Sequence, residues 1–470
     1  MKVEQIYTGC LAEAAYYIES EGEAAIIDPL REVQPYLDKA REDGASIRYI
    51  LETHFHADFV SGHLDLAKSS GGTIVYGPTA EPAFDAHVAE DGEILKLGKV
   101  TIKVLHTPGH TMESATYLLR GEDGRDYCLF TGDTLFIGDV GRPDLAVKTD
   151  LTREDLAGHL FDSLRNKIMP LADDVIVYPG HGAGSACGKN MSQQTSDTLG
   201  NQKKFNYALR AYMSREEFIK EVTTGLVEPP QYFPKNAVMN KMGYQGIDKV
   251  LDRGVTAMDV DHFLKVVNSQ QALVLDTRKP ADFAKAHIPN SMFIGLDGSF
   301  ASWVGTLITD LRQPIVLITD PGREEEAVTR LARVGYDNTL GFLENGLEVW
   351  QKAGKEVGTV EQLTAEEMAE KFLHNQKLKL LDVRKASEYD SQHIEGVESF
   401  PLDFINRSMN QLNSKDNYFL HCQGGYRSMV AASILKSHGF QHVTDVMGGF
   451  AELSKTDLPL TEYREPVTML

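Results

Sequence analysis

Cysteine is scarce in this chain: Cys10, Cys128, Cys187 and Cys422 are the four present in 470 residues. That is too few for a disulfide scaffold of this length, so a reducing compartment is expected. Long apolar runs are missing too, and none reaches the roughly 20 residues that a membrane-spanning helix needs. The opening residues include Glu4 and Glu13 and show neither a secretory apolar core nor an Arg-rich transit pattern. A cytoplasmic protein without a membrane partner is therefore expected. No contiguous basic stripe is visible, and the formal net charge is -21. A phosphate backbone would be repelled, which argues against a nucleic-acid partner, and the acidity itself reads as solubility.

Low-complexity sequence is also absent, and 470 residues exceed what one hydrophobic core normally organises. Three domains are expected, over residues 1–245, 246–357 and 358–470. Pro229, Pro230 and Pro234 interrupt the chain after a helical stretch expected from Tyr207 to Val222. A second break, Gly354 to Gly358, follows Trp350 and precedes a helical segment expected from Thr364 to Leu373.

The first of these domains contains four polar clusters, each placed just after a short apolar run of strand-like composition. Ile47 to Leu51 leads into His54-Phe55-His56-Ala57-Asp58-Phe59, and Val100 to Leu105 into His106-Thr107-Pro108-Gly109-His110. Tyr127 to Phe130 leads into Thr131-Gly132-Asp133, and Val175 to Tyr178 into Gly180-His181-Gly182. Imidazoles and carboxylates leaving a sheet at strand ends can converge on one cation without burying an unpaired charge, so this pattern reads as a metal site. Cys187 follows His181 in a loop with Gly182, Gly184 and Gly188, within reach of the same pocket.

These clusters, in this order, resemble the metallo-β-lactamase superfamily, which implies an αββα sandwich with metal at one edge of two packed sheets. Thioester hydrolases of that superfamily, the glyoxalase II group, usually close the first motif with a histidine. Here Phe59 stands in that place. Phenylalanine has no lone pair to donate, so a second metal loses a ligand and a single-metal centre is favoured. Within the superfamily the resemblance is strongest to the persulfide dioxygenases, which implies one Fe(II) per chain held by His54, His110 and Asp133. Such a facial triad leaves positions open for a thiolate substrate and dioxygen. His56, Asp58 and His181 become supporting residues that orient ligands or tune the metal. The stretch Asp139-Val140-Gly141-Arg142-Pro143-Asp144 resembles a Gly-Arg element of that family, which implies that Arg142 binds a substrate carboxylate in bidentate fashion.

The second half carries one unit written twice. Leu275-Asp276-Thr277-Arg278-Lys279, Asp282-Phe283 and His287-Ile288-Pro289 return as Leu381-Asp382-Val383-Arg384-Lys385, Glu388-Tyr389 and His393-Ile394-Glu395. Each copy continues into another apolar strand, Ile315 to Ile318 and Tyr418 to Leu420, then a loop and a helical segment. Strands alternating with helices imply a parallel sheet covered on both faces.

Both copies resemble rhodanese domains, α/β sulfurtransferase modules whose active loop begins with a nucleophilic cysteine. The second has one, in Cys422-Gln423-Gly424-Gly425-Tyr426-Arg427-Ser428. Gly424 and Gly425 allow the loop amides to curl around the sulfur, and a helix expected from Met429 to His438 points its N-terminus at it. With Arg427 these groups should favour thiolate and stabilise anionic donors. Aligned on its strand, the first copy sets Asp320 against the cysteine and Glu325 against the arginine. Carboxylate oxygen carries no sulfur and added negative charge repels sulfur anions, so this copy is expected to be inactive.

The combined resemblance implies an iron-dependent persulfide dioxygenase fused to an inactive and an active rhodanese domain. Its substrates would be glutathione persulfide or another small thiol persulfide, together with dioxygen, and its products sulfite and thiol. Cys422 would form or consume thiosulfate. Two alternatives stay open: a metal-dependent thioester hydrolase of the glyoxalase II type, and a non-enzymatic persulfide sensor. The identity of the thiol, the direction of the sulfur-transfer step and a homo-oligomeric state are not fixed by these residues.

Overall fold

The computed structural model describes residues 1–146 and 151–465. Positions 147–150 of the first expected domain and 466–470 of the third thus lie outside the described residues. The described chain is α/β throughout and falls into two compact units, one over Met1–Ile247 with the short segment Ala332–Gly335, the other over Asp248–Leu331 and from Tyr336 onward.

The first unit holds two six-stranded sheets. One runs in chain order through Lys2–Thr8, Glu13–Ser20, Glu23–Ile27, Ser46–Leu51, Thr73–Tyr76 and His87–Val88. The other has Asp197–Thr198 at one edge, then Ile176–Pro179, Asp126–Gly132, Ala115–Arg120 and Val100–His106, ending at Ile94–Leu97. Alternation along a strand explains the layering, because successive side chains point to opposite faces. Tyr16 and Ile18 enter the core between the sheets with Tyr117, Leu119 and Phe130, whereas Tyr17 faces a helix layer containing Tyr36 and Leu66. Leu118 and Leu129 likewise face Leu160 and Phe218 on the other side. The inner strands are therefore covered on both faces, giving the αββα sandwich, while the edge strands Lys2–Thr8, His87–Val88 and Ile94–Leu97 keep exposed residues. Full burial of each large apolar side chain contributes about 1.5–3 kcal/mol.

The helix Arg153–Ser163 starts at Thr152, whose side chain accepts from Asp155 N while Asp155 reaches back to the Thr152 amide. The continuous helix expected from Tyr207 to Val222 does not form. A single turn over Tyr207–Leu209 is followed by a fresh helix, Arg215–Thr223, which Ser214 and Glu217 open with a reciprocal capping box. That cap offers the chain a new helix start, and it outcompetes continuation.

The second unit contains two five-stranded parallel sheets of matching order. The first runs Ala257–Met258, Thr339–Leu343, Ile315–Ile318, Leu273–Asp276, Met292–Phe293. The second runs Glu361–Leu363, Val443–Val446, Tyr418–His421, Lys379–Asp382, Glu398–Ser399. The repeated motif residues explain themselves here. Arg278 and Arg384 each fold back on the aspartate two residues earlier, at 2.6 Å, and donate on to Ala286 O and Gln392 O. His287 stacks on Phe283 and His393 on Tyr389, with ring centroids 4.0 and 3.6 Å apart. The repeat is thus a structural staple, closing each strand–helix turn.

Candidate metal centre and sulfur-carrier loop

Parallel pairing of Asp126–Gly132 with Ile176–Pro179 sets Gly132 opposite Pro179, so Asp133 and His181 leave the sheet side by side. Gly132 has φ 49°, and a β-carbon there would lie 2.6 Å from Thr53 Cβ. Only glycine permits both the left-handed backbone and this approach. The clusters after Ser46–Leu51 and Val100–His106 arrive at the same edge, where the ligand atoms of His54, His110 and Asp133 lie within 4.8 Å of one another.

Hydrogen bonding decides which imidazole nitrogens face that point. Arg142 O accepts from His110 Nδ1 at 2.9 Å, because a carbonyl cannot donate. Thr53 donates its hydroxyl to Asp28 Oδ2 at 2.8 Å, leaving its oxygen to accept from His54 Nδ1 at 3.0 Å. Both Nε2 lone pairs are thereby directed inward. His54 Nε2 and Asp133 Oδ2 are buried and without any hydrogen-bond partner, a costly state unless a cation completes them. The donor set fits a metal ion. Burial and the neighbouring His56 push His54 well below the usual imidazole range, the neutral form a ligand requires. Burial favours the neutral acid at Asp133, yet His181 and His110 hold its carboxyl far below the usual range.

His181 bridges two carboxylates, with Nδ1 2.7 Å from Asp133 Oδ1 and Nε2 2.8 Å from Asp58 Oδ2. Burial opposes its charge, but Asp133 and Asp58 together raise its pKa well above the ordinary value, so both nitrogens carry protons. Cys187 joins Asp58 and His181 in a second buried group. Burial, then Asp58 and Asp133, push its thiol up, keeping it protonated. His56 packs on His54 with ring centroids 4.2 Å apart but directs its Nε2 elsewhere, 3.1 Å from Asp28 Oδ1 and 3.7 Å from Glu52 Oε2, making a third buried group of ligand-type side chains. Phe59 packs on its ring at a centroid distance of 4.3 Å. Asn240, from the helix Phe233–Met242, donates to His56 O and Phe59 O and accepts from Ser61 N, pinning this loop.

Arg142 is placed differently from the expectation of a substrate-binding arginine. Its guanidinium is buried and donates to both oxygens of Asp144, to Ala186 O and to Val227 O. In this arrangement it presents no free fork to a substrate carboxylate; what it offers the centre is its carbonyl, on His110.

In the second unit, Cys422 follows Tyr418–His421 and accepts from Gly425 N at 3.1 Å and Ser428 Oγ at 3.6 Å. Gly425 has φ 100° and caps a helix that begins at Tyr426, earlier than expected, and runs to Ser437. No heavy atom lies within 4 Å of where a β-carbon on Gly424 would be. Arg427 forks onto Glu388 at 2.5 and 2.8 Å, a pairing the sequence did not announce, although Glu388 recurs in the repeat. In the first copy the strand register corrects the alignment. Asp276 pairs with Ile318 as Asp382 pairs with His421, so Thr319 stands where Cys422 does, with Asp320 one place further on. The loop is one residue longer there, and its helix starts with Glu324, Glu325 and Glu326.

Residues 8–181 match the Metallo-beta-lactamase superfamily, and residues 259–353 and 364–456 each match the Rhodanese-like domain. The chain belongs to the metallo-beta-lactamase superfamily and carries two rhodanese-like domains behind that fold. Its relatives include proteins of different named activities. It is 31% identical to the hydroxyacylglutathione hydrolase GloC of Haemophilus influenzae, over 36% of this chain and 85% of that protein. It is 30% identical to the human mitochondrial persulfide dioxygenase ETHE1, over 42% of this chain and 70% of that protein. Among solved structures, a metallo-beta-lactamase from Staphylococcus aureus is 31% identical, aligning with 73% of this chain and 98% of its own with a TM-score of 0.63. An enzyme with a metal-binding fold and sulfurtransferase-type domains follows. Among the described residues, no helix is long and apolar enough to cross a membrane.

Proposed function

We propose that residues 1–245 oxidise a small thiol persulfide, such as glutathione persulfide, at one ferrous ion, and that residues 358–470 carry sulfane sulfur on Cys422, with 246–357 inactive. The observation that carries this reading is the position of His56. The His56 ring lies against His54, centroids 4.2 Å apart, but its Nε2 is directed at Asp28 and Glu52 under the Phe59 ring, so its ligand atom groups with those carboxylates and not with His54 and His110. Of the three buried groups, the one that His54 and His110 share is completed by the Asp133 carboxylate, and two histidines with one carboxylate are the donor set of non-heme iron oxygenases.

His54, His110 and Asp133 would hold the metal. When bound, ferrous iron supplies one-electron exchange with dioxygen and open positions for a sulfur anion. The chain's own residues fix the rest. Thr53 and Arg142 O set the two imidazole tautomers, while His181 keeps a proton between Asp133 and Asp58 and offsets carboxylate charge beside an anionic substrate. Overall, a persulfide anion, dioxygen and water become sulfite, thiolate and two protons. At Cys422, thiolate attack on the outer sulfur of thiosulfate breaks its S–S bond and releases sulfite, leaving a cysteine persulfide; the reverse step makes thiosulfate. Gly425 N–H and Ser428 Oγ–H are in place to stabilise the sulfur anion.

Metal analysis of protein purified without oxygen, paired with oxygen uptake on added glutathione persulfide, tests the reading. About one iron per chain is expected, with both iron and uptake lost in Asp133→Ala. Two zinc ions, hydrolysis of a glutathione thioester and no oxygen uptake would establish the hydrolase instead.

A further inference from the structure

The Cys422 loop has little to hold it from within. Gly424 and Gly425 are adjacent, no atom packs where a Gly424 side chain would be, and Gly425 sits at φ 100°. Restraint has to come from the flanks. On one side, Phe450 N donates to Cys422 O at 2.6 Å and Ala451 N to Gln423 O at 3.1 Å. On the other side stands Tyr426, between the amide that donates to Cys422 Sγ and the arginine paired with Glu388.

The Tyr426 side chain is anchored in the other rhodanese copy. Its hydroxyl donates to Gly295 O at 2.7 Å, just beyond the edge strand Met292–Phe293 of the inactive domain. The ring lies against the same segment: a β-carbon on Gly298 would be 3.1 Å from two ring atoms, and one on Gly295 3.3 Å from one. Phe293 meets the ring edge-on at 6.0 Å, and its amide donates to Ser433 Oγ, two turns along the same helix, at 2.9 Å. The inactive copy therefore grips the active copy's helix at its first residue and again in its interior.

We infer that the first rhodanese copy, though without a carrier cysteine, is a positioning wall for the second: its Gly295–Gly298 segment clamps Tyr426 and thereby fixes Gly425 N–H and Arg427 about Cys422. The inference rests on the reading of Cys422 as a sulfur carrier. Tyr426 is a positioning residue, acting through its two chain neighbours. Gly295 and Gly298 matter because any side chain there meets the ring. Gly298 is exposed and its φ is not left-handed, so an added methyl pushes on Tyr426 without disturbing the fold of its own domain.

The test uses the full chain with labelled thiosulfate as donor, reading single-turnover persulfide formation on Cys422, thiosulfate KM, the pH profile of Cys422 alkylation and the unfolding temperature. Tyr426→Phe removes the hydrogen bond and Gly298→Ala displaces the ring. Each should slow sulfur transfer on the order of tenfold with KM little changed, and each should move the alkylation profile, which a loss of stability alone would not do. Oxygen uptake should be unchanged in Gly298→Ala. In a Tyr426→Ala background, Gly298→Ala should have no further effect, since no ring remains to be pushed. Unaltered transfer in Gly298→Ala, or an equal loss with and without the ring, would overturn the clamp. Absence of Cys422-dependent transfer in the unmodified chain would overturn the carrier reading first, and the clamp with it.

Discussion

Thr53 is the residue on which the metal centre turns. Its amide and hydroxyl both donate to Asp28, and its oxygen then accepts from His54 Nδ1. Asp28 holds that geometry at φ 49°, a left-handed conformation that aspartate tolerates better than most residues but still at a cost. Thr53→Val keeps the shape and removes the hydroxyl, so His54 loses its tautomer lock and Asp28 Oδ2 loses a buried partner. Metal affinity should fall about 10- to 100-fold, and metal-free protein should lose about 1–3 kcal/mol of stability. A competitive metal titration and a denaturant melt measure the two separately. Unchanged affinity would show that Thr53 does not set the tautomer. The two arginines show the limit of reading charge from sequence. Arg142 is neutralised by Asp144, two residues away and visible in the motif, whereas Arg427 is paired with Glu388, a partner that only the fold brings near.

At the level of elements, the four strands that lead into the site were legible because their largely buried apolar runs end abruptly in polar clusters. The repeat was legible for a different reason: the Asp-x-Arg staple and the stacked histidine demand the same residues at the same spacing in both copies. Asn240 and Asp28 were not legible, since each acts on the motif loop from far along the chain through backbone or hydroxyl contacts that leave no local pattern. Nor was the register of the first copy's loop, because one inserted residue lets either Thr319 or Asp320 align with Cys422. The backbone decides for Thr319: Gly346 approaches Thr319 O as Gly449 approaches Cys422 O. The place to restore a carrier is therefore Thr319. Thr319→Cys in a Cys422→Ser background should nevertheless form no persulfide from labelled thiosulfate. The loop ahead of its helix is longer and contains Pro321, which has no amide hydrogen to offer the sulfur. The first helical turn carries Glu324, Glu325 and Glu326 where the second copy's helix has no acid, so a sulfur anion meets repulsion. Rapid labelling of the new thiol, located by mass spectrometry, would show that the missing nucleophile alone silenced this copy.

Across the whole molecule, the candidate metal centre and Cys422 belong to different compact units with their own cores, so the two proposed chemistries should come apart under mutation. Cys422 is buried, but its sulfur is the acceptor of two donors and the start of a helix-capping loop; His54, His110 and Asp133 are held by contacts that never involve it. Cys422→Ser changes one atom. Serine oxygen ionises far less readily than a thiol and cannot store sulfane sulfur, so transfer to or from thiosulfate should be lost almost completely. Oxygen uptake on glutathione persulfide should remain close to that of the unmodified chain, with sulfite accumulating wherever the unmodified chain would have turned it into thiosulfate. Oxygen electrode traces and product analysis on the same samples distinguish the cases. If uptake fell together with transfer, oxidation would depend on sulfur delivered by Cys422. If transfer persisted at the original rate, the carrier would have to be another cysteine. Cys187, buried beside Asp58 and His181, would be the first to replace.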